Sequence, residues 1–177
     1  KINWHLFNAG PSAMESMFSG AVDITYVGPS PAINAFAKSG GKDIRIISGS
    51  ADGGAALVVN PALGITKPSD FKGKRIGTPQ LGNTQDVACR AWLIKNDIKV
   101  TLTGGDAQVI ATSNPEQLPL FKSGNLDAVW TVEPWVTRLI QEAGAKIYLA
   151  QDDAVTTVLA TNIRTLEGRP EIVKKFI

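Results

Sequence analysis

Long apolar runs are missing from this chain of 177 residues. No stretch of about 18 or more uncharged apolar residues occurs, so nothing in it reads as a helix that crosses a membrane. Cysteine is almost missing too. With Cys89 alone there can be no intramolecular disulfide and no thiolate metal site, and its apolar helical setting reads as a packed thiol. Scarce cysteine fits the cytosol and equally a secreted protein held by a large core, so it leaves the compartment open. Histidine is also single: His5 lies in an expected strand, with no partner at a catalytic or ligand spacing. An excess of one charge is lacking, since 18 Lys and Arg against 16 Asp and Glu give a net charge of +2. That balance supplies no electrostatic footprint for nucleic acid, and Lys72, Lys74 and Arg75 read as a solvated turn. The spacings Gly-x-x-x-x-Gly-Lys, Gly-x-Gly-x-x-Gly, Gly-x-Ser-x-Gly and His-Glu-x-x-His are all absent. Asp152-Asp153 pairs carboxylates in sequence only and reads as a loop. No cofactor, metal or catalytic residue is expected; the chemistry is that of holding a ligand.

What is present is a repeated design. Phe18-Ser-Gly-Ala-Val-Asp23-Ile-Thr-Tyr26-Val-Gly-Pro29 and Phe121-Lys-Ser-Gly-Asn-Leu-Asp127-Ala-Val-Trp130-Thr-Val-Glu-Pro134 follow one plan. A helix closes at Gly, an Asp starts an apolar strand, an aromatic follows three residues later, and a Pro opens the next helix. Two such units about a hundred residues apart predict two lobes of similar architecture.

Elements alternate along the chain. Strands are expected over residues 2–7, 23–27, 44–48, 55–60, 75–77, 107–111, 128–132, 146–149 and 156–161. Helices are expected over 12–18, 32–38, 83–96, 116–122 and 135–143, with one helical turn over 67–71. In the helix over 83–96, Val87, Ala91 and Ile94 share an apolar face. Strands alternating with helices predict an α/β protein with mainly parallel sheets, covered on both faces. Asn60-Pro61, Gly64 and Lys67-Pro68 punctuate the chain and suggest a lobe boundary. The expected division is residues 1–60 with 158–177 in lobe I and 61–157 in lobe II, so that two crossings make a hinge. Both ends of the chain read as cut: it opens inside an expected strand and stops a few residues into a helix begun by Pro170.

In parallel α/β sheets, ligands bind where strands end and helices begin, because helix N-termini offer unpaired N–H groups and partial positive charge. The joint Thr78-Pro-Gln-Leu-Gly-Asn-Thr-Gln-Asp86 is the richest here. Gly82 permits a tight turn, and Asn83, Thr84 and Gln85 bring polar donors to the helix start. Such a nest suits a sulfonate, nitrate or carboxylate. A capping box from Asn83 to Asp86 is the competing reading. Trp130-Thr-Val-Glu133-Pro-Trp135 is the second candidate, in which Trp130 and Tyr26 would line opposite walls between the lobes. Glu133 would cap the next helix or accept a hydrogen bond from a ligand ammonium. Trp135 reads as core, and Arg90 and Arg138 as surface charges.

Four strings carry a family resemblance: residues 9–33, Asp70-Phe-Lys-Gly-Lys-Arg-Ile-Gly77, Leu81-Gly-Asn-Thr-Gln-Asp-Val87 and Asp127-Ala-Val-Trp-Thr-Val-Glu-Pro-Trp135. Nearly the whole chain is similar to the nitrate/sulfonate/taurine branch of ABC-transporter substrate-binding proteins. The resemblance implies the type II periplasmic binding protein fold, two α/β lobes joined by a two-strand hinge, and further sequence at both ends. It implies a monomer that captures a small anionic solute in the interlobe cleft and delivers it to a membrane permease. The place would be the periplasm or the outer face of the membrane, with or without a lipid anchor. By similarity the cleft would be lined by Gly28 with Ser30, by Gly54 of the Gly53-Gly54 pair, by Gly82, Asn83, Thr84 and Gln85, and by Trp130 with Glu133. Alternatives are a binding protein for an aromatic vitamin precursor of the pyrimidine class, an enzyme on the same fold, and a sensor lobe of a signalling protein.

Overall fold

The computed structural model describes residues 1–177. The chain forms two units: Lys1–Asp52 with Val155–Ile177, and Gly53–Ala154. The first unit begins with α1 (Gly10–Phe18), β1 (Ile24–Val27), α2 (Pro29–Lys38) and β2 (Ile44–Asp52). The second holds β3 (Ala55–Val59), β4 (Arg75–Thr78), α3 (Thr84–Lys95), β5 (Gln108–Ala111), α4 (Asn114–Lys122), β6 (Ala128–Val132), α5 (Trp135–Ala143) and β7 (Lys146–Gln151). The chain then returns to the first unit with β8 (Val155–Asn162), α6 (Ile163–Gly168) and α7 (Pro170–Phe176).

In the first unit β8 lies between β1 and β2, antiparallel to both. Met14 and Met17 of α1 and Ala32 and Ala35 of α2 pack with Val27, Ile44, Val158 and Ala160 of the sheet. Residues 2–7 are not a strand, against expectation. Ile2, Trp4 and Leu6 have the alternation of one, but a strand exists only through a neighbour that pairs its amides, and none does so here. His5 therefore lies in exposed, unpaired chain. The short α6 was also not foreseen; Asn162 starts it by accepting the Thr165 amide at 2.8 Å.

In the second unit the sheet order is β5-β4-β6-β3-β7. Only β5, β4 and β6 are parallel; β3 runs against β6 and β7. The sheets are thus mixed in one unit and antiparallel in the other, not mainly parallel. All five residues of β3 are buried, as its unalternating apolar run requires. Cys89 and Leu93 of α3 cover one face with Leu57, Ile76 and Trp130. Leu118 and Phe121 of α4 and Val136 and Leu139 of α5 cover the other with Val58 and Val129.

The crossings fall at Asp52/Gly53 and Ala154/Val155, earlier on both passes than at 60/61 and 157/158. Pairing explains the difference. Residues 55–59 belong to the sheet of β6 and β7, while Val155 and Thr157 pair with β2. The Asn60-Pro61 punctuation is a turn inside the second unit, where Asn60 accepts the Ala62 amide at 3.0 Å.

Gly53 and Gly54 at the first crossing both adopt left-handed backbone, with φ of 65° and 69°. The Gly53 amide donates to the Ala154 carbonyl at 2.9 Å, tying the two crossings together. A Cβ on Gly53 would lie 3.0 Å from the Asp152 carbonyl oxygen. Gly53→Ala is therefore expected to lose about 1–2 kcal/mol of stability, the cost of left-handed backbone with a side chain. Denaturant unfolding measures it, and an unchanged midpoint would show that this backbone escapes the left-handed region at no cost.

Candidate functional site

The turn before α3 is built by capping. Asn83 is the N-cap, and its Oδ1 accepts the Asp86 amide at 2.8 Å while its Nδ2 donates to Gln85 Oε1 at 3.0 Å. Gly82, at φ 77°, has open space where a Cβ would stand. Its amide donates back to Asp86 Oδ2 at 2.9 Å, and the Asn83 amide donates to the Gln80 carbonyl at 3.1 Å. Half of the expected capping box is thus present: Asn83 caps the helix by accepting the Asp86 amide, while the Asp86 carboxylate accepts from Gly82 and not from the Asn83 amide. This arrangement also narrows the ligand reading, because the Gly82 amide is already engaged. What is left are the N–H groups of Thr84 and Gln85, the first two helical residues, which have no carbonyl partner within the helix. Beside them Thr84 Oγ1 is buried without a hydrogen-bond partner.

Asp86 is the residue that sequence reasoning undervalued. Only 2% exposed, it accepts from Gly82, from Thr78 Oγ1 at 3.1 Å, and from Arg90 Nε at 3.0 and 3.1 Å. Arg90 is correspondingly not a surface charge. Its side chain is largely buried, and its other nitrogens donate to the carbonyls of Thr101 at 2.8 Å and Val109 at 3.3 Å. The signal available was the acid–base spacing of four residues on one helix. The helix face was also misread: Val87 and Ile94 are exposed, while Gln85, Asp86, Cys89 and Leu93 point inward. Buried polar groups with partners replaced the apolar stripe. Burial pushes the Cys89 thiol up to about 12, with the Asp86 charge adding to it, so it stays protonated and inert.

Glu133 follows β6 one residue ahead of the N-cap position expected of it, which Pro134 takes, yet its side chain still closes the helix start. Its carboxylate accepts the Thr137 amide at 3.1 Å and the Thr137 hydroxyl at 3.0 Å, and its own amide donates to the Gly54 carbonyl at 2.8 Å. It stays exposed, and a cis bond joins it to Pro134. Gly54 sits beside it, so that a Cβ there would meet Glu133 Cγ at 3.7 Å. Trp130 is no ligand wall. It is 1% exposed, packs edge-on against Trp92 at 6.2 Å, and donates its indole N–H to Gln151 Oε1 at 2.8 Å. Trp135 is half-buried, with Arg138 over its ring at 5.2 Å; Arg138 is the exposed charge expected, paired with Glu142. Arg75 is no free charge of a solvated turn: it binds Asp127 through two side-chain nitrogens and its amide.

Gly28, Ser30 and Tyr26 belong to the first unit. Gly28 is the N-cap of α2 and Ser30 its second residue, while Tyr26 is 52% exposed against Phe176 of α7, centroids 6.2 Å apart. In the second unit the α3 turn and the Gly54–Glu133 contact lie beyond the carboxyl ends of adjacent parallel strands, β4 and β6. Gly82, Asn83, Thr84 and Gln85 are therefore one local set, and Gly54 with Glu133 a second at the same end of the sheet. No three His, Cys, Asp or Glu side chains gather as a metal site would require.

Known proteins bear on this arrangement. The chain is 25% identical over 184 residues to the taurine-binding periplasmic protein of Escherichia coli K12, covering 99% of this chain and 54% of that protein. It is 31% identical over 183 residues to a putative aliphatic sulfonates-binding protein of Bacillus subtilis 168, covering 100% and 53%. It thus spans about half the length of these relatives. Among solved structures, the alkanesulfonate-binding protein SsuA of Xanthomonas axonopodis pv. citri, bound to MOPS, superposes with a TM-score of 0.82 at 22% identity, over 99% of this chain and 60% of that one. The periplasmic nitrate-binding protein NrtA of Synechocystis PCC 6803 gives 0.75 at 13% identity, over 95% and 49%. The fold is that of the type II periplasmic binding proteins, as the resemblance implied. Residues 1–177 match the NMT1-like family throughout, and the chain belongs to that family.

Proposed function

We propose that the α3 turn holds the charged head of a small anionic solute of the sulfonate, taurine or nitrate class. The protein then serves as the substrate-binding component of an ABC importer, outside the cytoplasmic membrane, with a membrane permease as its partner. One observation carries the assignment: Thr84 Oγ1, at the first position of α3, is buried with no partner. A buried hydroxyl left unsatisfied costs about 1–3 kcal/mol, so native structures rarely keep one without a reason. An anion's oxygen would satisfy it and the adjoining N–H groups together, where the helix dipole favours negative charge. The names of the relatives supply the class of solute. Binding without turnover fits the side chains available, since the single thiol is inert and the single histidine lies outside both candidate sets. A pyrimidine would need an aromatic partner beside Glu133, and Trp130, the one expected there, is enclosed in the core.

Calorimetric titration with taurine, methanesulfonate and nitrate tests the reading. At least one is expected to bind. Thr84→Val, which keeps shape and removes the hydroxyl, is expected to weaken that binding about tenfold, the loss of one charge-assisted hydrogen bond. Without ligand the unfolding midpoint should rise rather than fall, because the replacement removes the unsatisfied hydroxyl. Equal affinity of the variant, or no binding of any of the three, would defeat the assignment.

A further inference from the structure

An anion site usually recruits a cation, yet the α3 turn, Thr78 to Asp86, contains neither Lys nor Arg and does contain a carboxylate. Asp86 lies in the same first helical turn as the free N–H groups. Alone, it would place a full negative charge where the solute's charge must go, and the helix dipole, worth about half a charge, would not cancel it. The structure answers this one turn further on. We propose that Arg90 is the concealed counter-charge of the anion turn, acting through Asp86; this rests on the anion-binding reading above.

The geometry favours a matched pair over a loose surface bridge. The Arg90 Nε lies 3.0 and 3.1 Å from the two Asp86 oxygens, and side-chain exposures are 17% and 3%. The other two guanidinium nitrogens are held by backbone carbonyls, so the charge cannot swing away to solvent. The carboxylate meanwhile draws the Gly82 amide onto itself, which turns that donor away from the solute. With Asp86 neutralised, the donors left for an anion at this helix start are the Thr84 hydroxyl and two helix-terminal N–H groups. Their polarity is no longer opposed by a net charge. Arg90 thus positions and balances the site without touching the solute.

A purely mechanical strut makes the opposite predictions, which separates the two. Arg90→Gln leaves Asp86 uncompensated and is expected to weaken binding of taurine or methanesulfonate at least tenfold. Asp86→Asn with Arg90→Gln removes both charges and keeps an oxygen for the Gly82 amide; it is expected to return affinity to within about threefold of the unsubstituted protein. Arg90→Lys keeps the charge but loses the fork that reaches the Thr101 and Val109 carbonyls, and should also stay within about threefold. Calorimetry on the whole protein reads all three, and the comparison of Arg90→Lys with the double variant stands even if the single Gln variant fails to fold. Weakening of both Arg90→Lys and the double variant would identify a strut and overturn the proposal. Failure of the unsubstituted protein to bind either probe would overturn the anion reading itself, and this role with it.

Discussion

Trp130→Ala is expected to remove about 3–5 kcal/mol of stability from the second unit, the range for emptying a fully buried aromatic site. The side chain sits on the central strand β6 under α3, among Phe71, Trp92 and Leu57. Trp92 meets it edge-on, and Phe71 and Tyr148 meet Trp92 in the same way, so deleting one ring strips contacts from a cluster of four. Little relaxation can fill the gap, because β3 and β4 flank the strand on either side. Trp130→Phe separates packing from polarity. It retains most of the ring volume but leaves Gln151 Oε1 without the indole donor at 2.8 Å, and should cost about 1 kcal/mol beyond the lost volume. Guanidinium unfolding followed by far-ultraviolet circular dichroism measures both, with no dependence on tryptophan emission. A Trp130→Ala protein that keeps its stability and loses ligand binding would return the indole to the role of a wall.

That tryptophan also shows where sequence reading reaches its limit. The repeated design is real in local structure. Gly20 and Gly124 both follow helix ends in left-handed backbone, and Asp23 and Asp127 each directly precede a strand. Tyr26 and Trp130 occupy equivalent places in the two motifs, yet one is half exposed and the other sealed. The difference lies in the sheets: β1 is an edge strand and β6 a central one, which no property of twelve residues encodes. Local chemistry was legible wherever its partners were local. The Asn83 cap, the Glu133 cap and the buried run of β3 all follow from short-range rules. The Asp86–Arg90 pair lies within that range, but Asp86 reads as a cap and Arg90 as a surface charge, so neither points to the other. The partners of the two repeated aspartates were out of reach, since Arg75 lies 52 residues from Asp127 and Arg169 lies 146 from Asp23. Whether residues 2–7 form a strand, and where the crossings fall, likewise depends on which strand lies alongside, and pairing over such separations is set by the folded sheet.

Those two aspartates supply the second large effect. Asp127→Asn is expected to cost about 2–3 kcal/mol, the scale of hydrogen bonds made by a charged group with limited exposure. Its Oδ2 accepts the Arg75 amide at 2.8 Å and Nε at 3.1 Å, its Oδ1 accepts an Arg75 terminal nitrogen at 2.8 Å, and its side chain is 12% exposed. An amide in its place keeps one acceptor and turns a donor toward the guanidinium. Asp23→Asn should cost no more than about 1 kcal/mol, although the pair with Arg169 is its counterpart, because that side chain is 47% exposed and solvent screens the interaction. The Asp127 contribution also depends on acid. Burial pushes the Asp127 carboxyl upward, but the Arg75 side chain and amide outweigh it and hold the group below the usual carboxylate range. A carboxyl depressed in the folded state binds its proton more readily in the unfolded one. Its contribution is therefore complete above the ordinary value of about 3.9 and disappears as pH falls through the lower folded value. Thermal unfolding midpoints of the unsubstituted and Asp127→Asn proteins should stand well apart at neutral pH and converge below about pH 4. A gap that persists undiminished into strong acid would mean that shape at position 127, not its charge, holds β4 and β6 together.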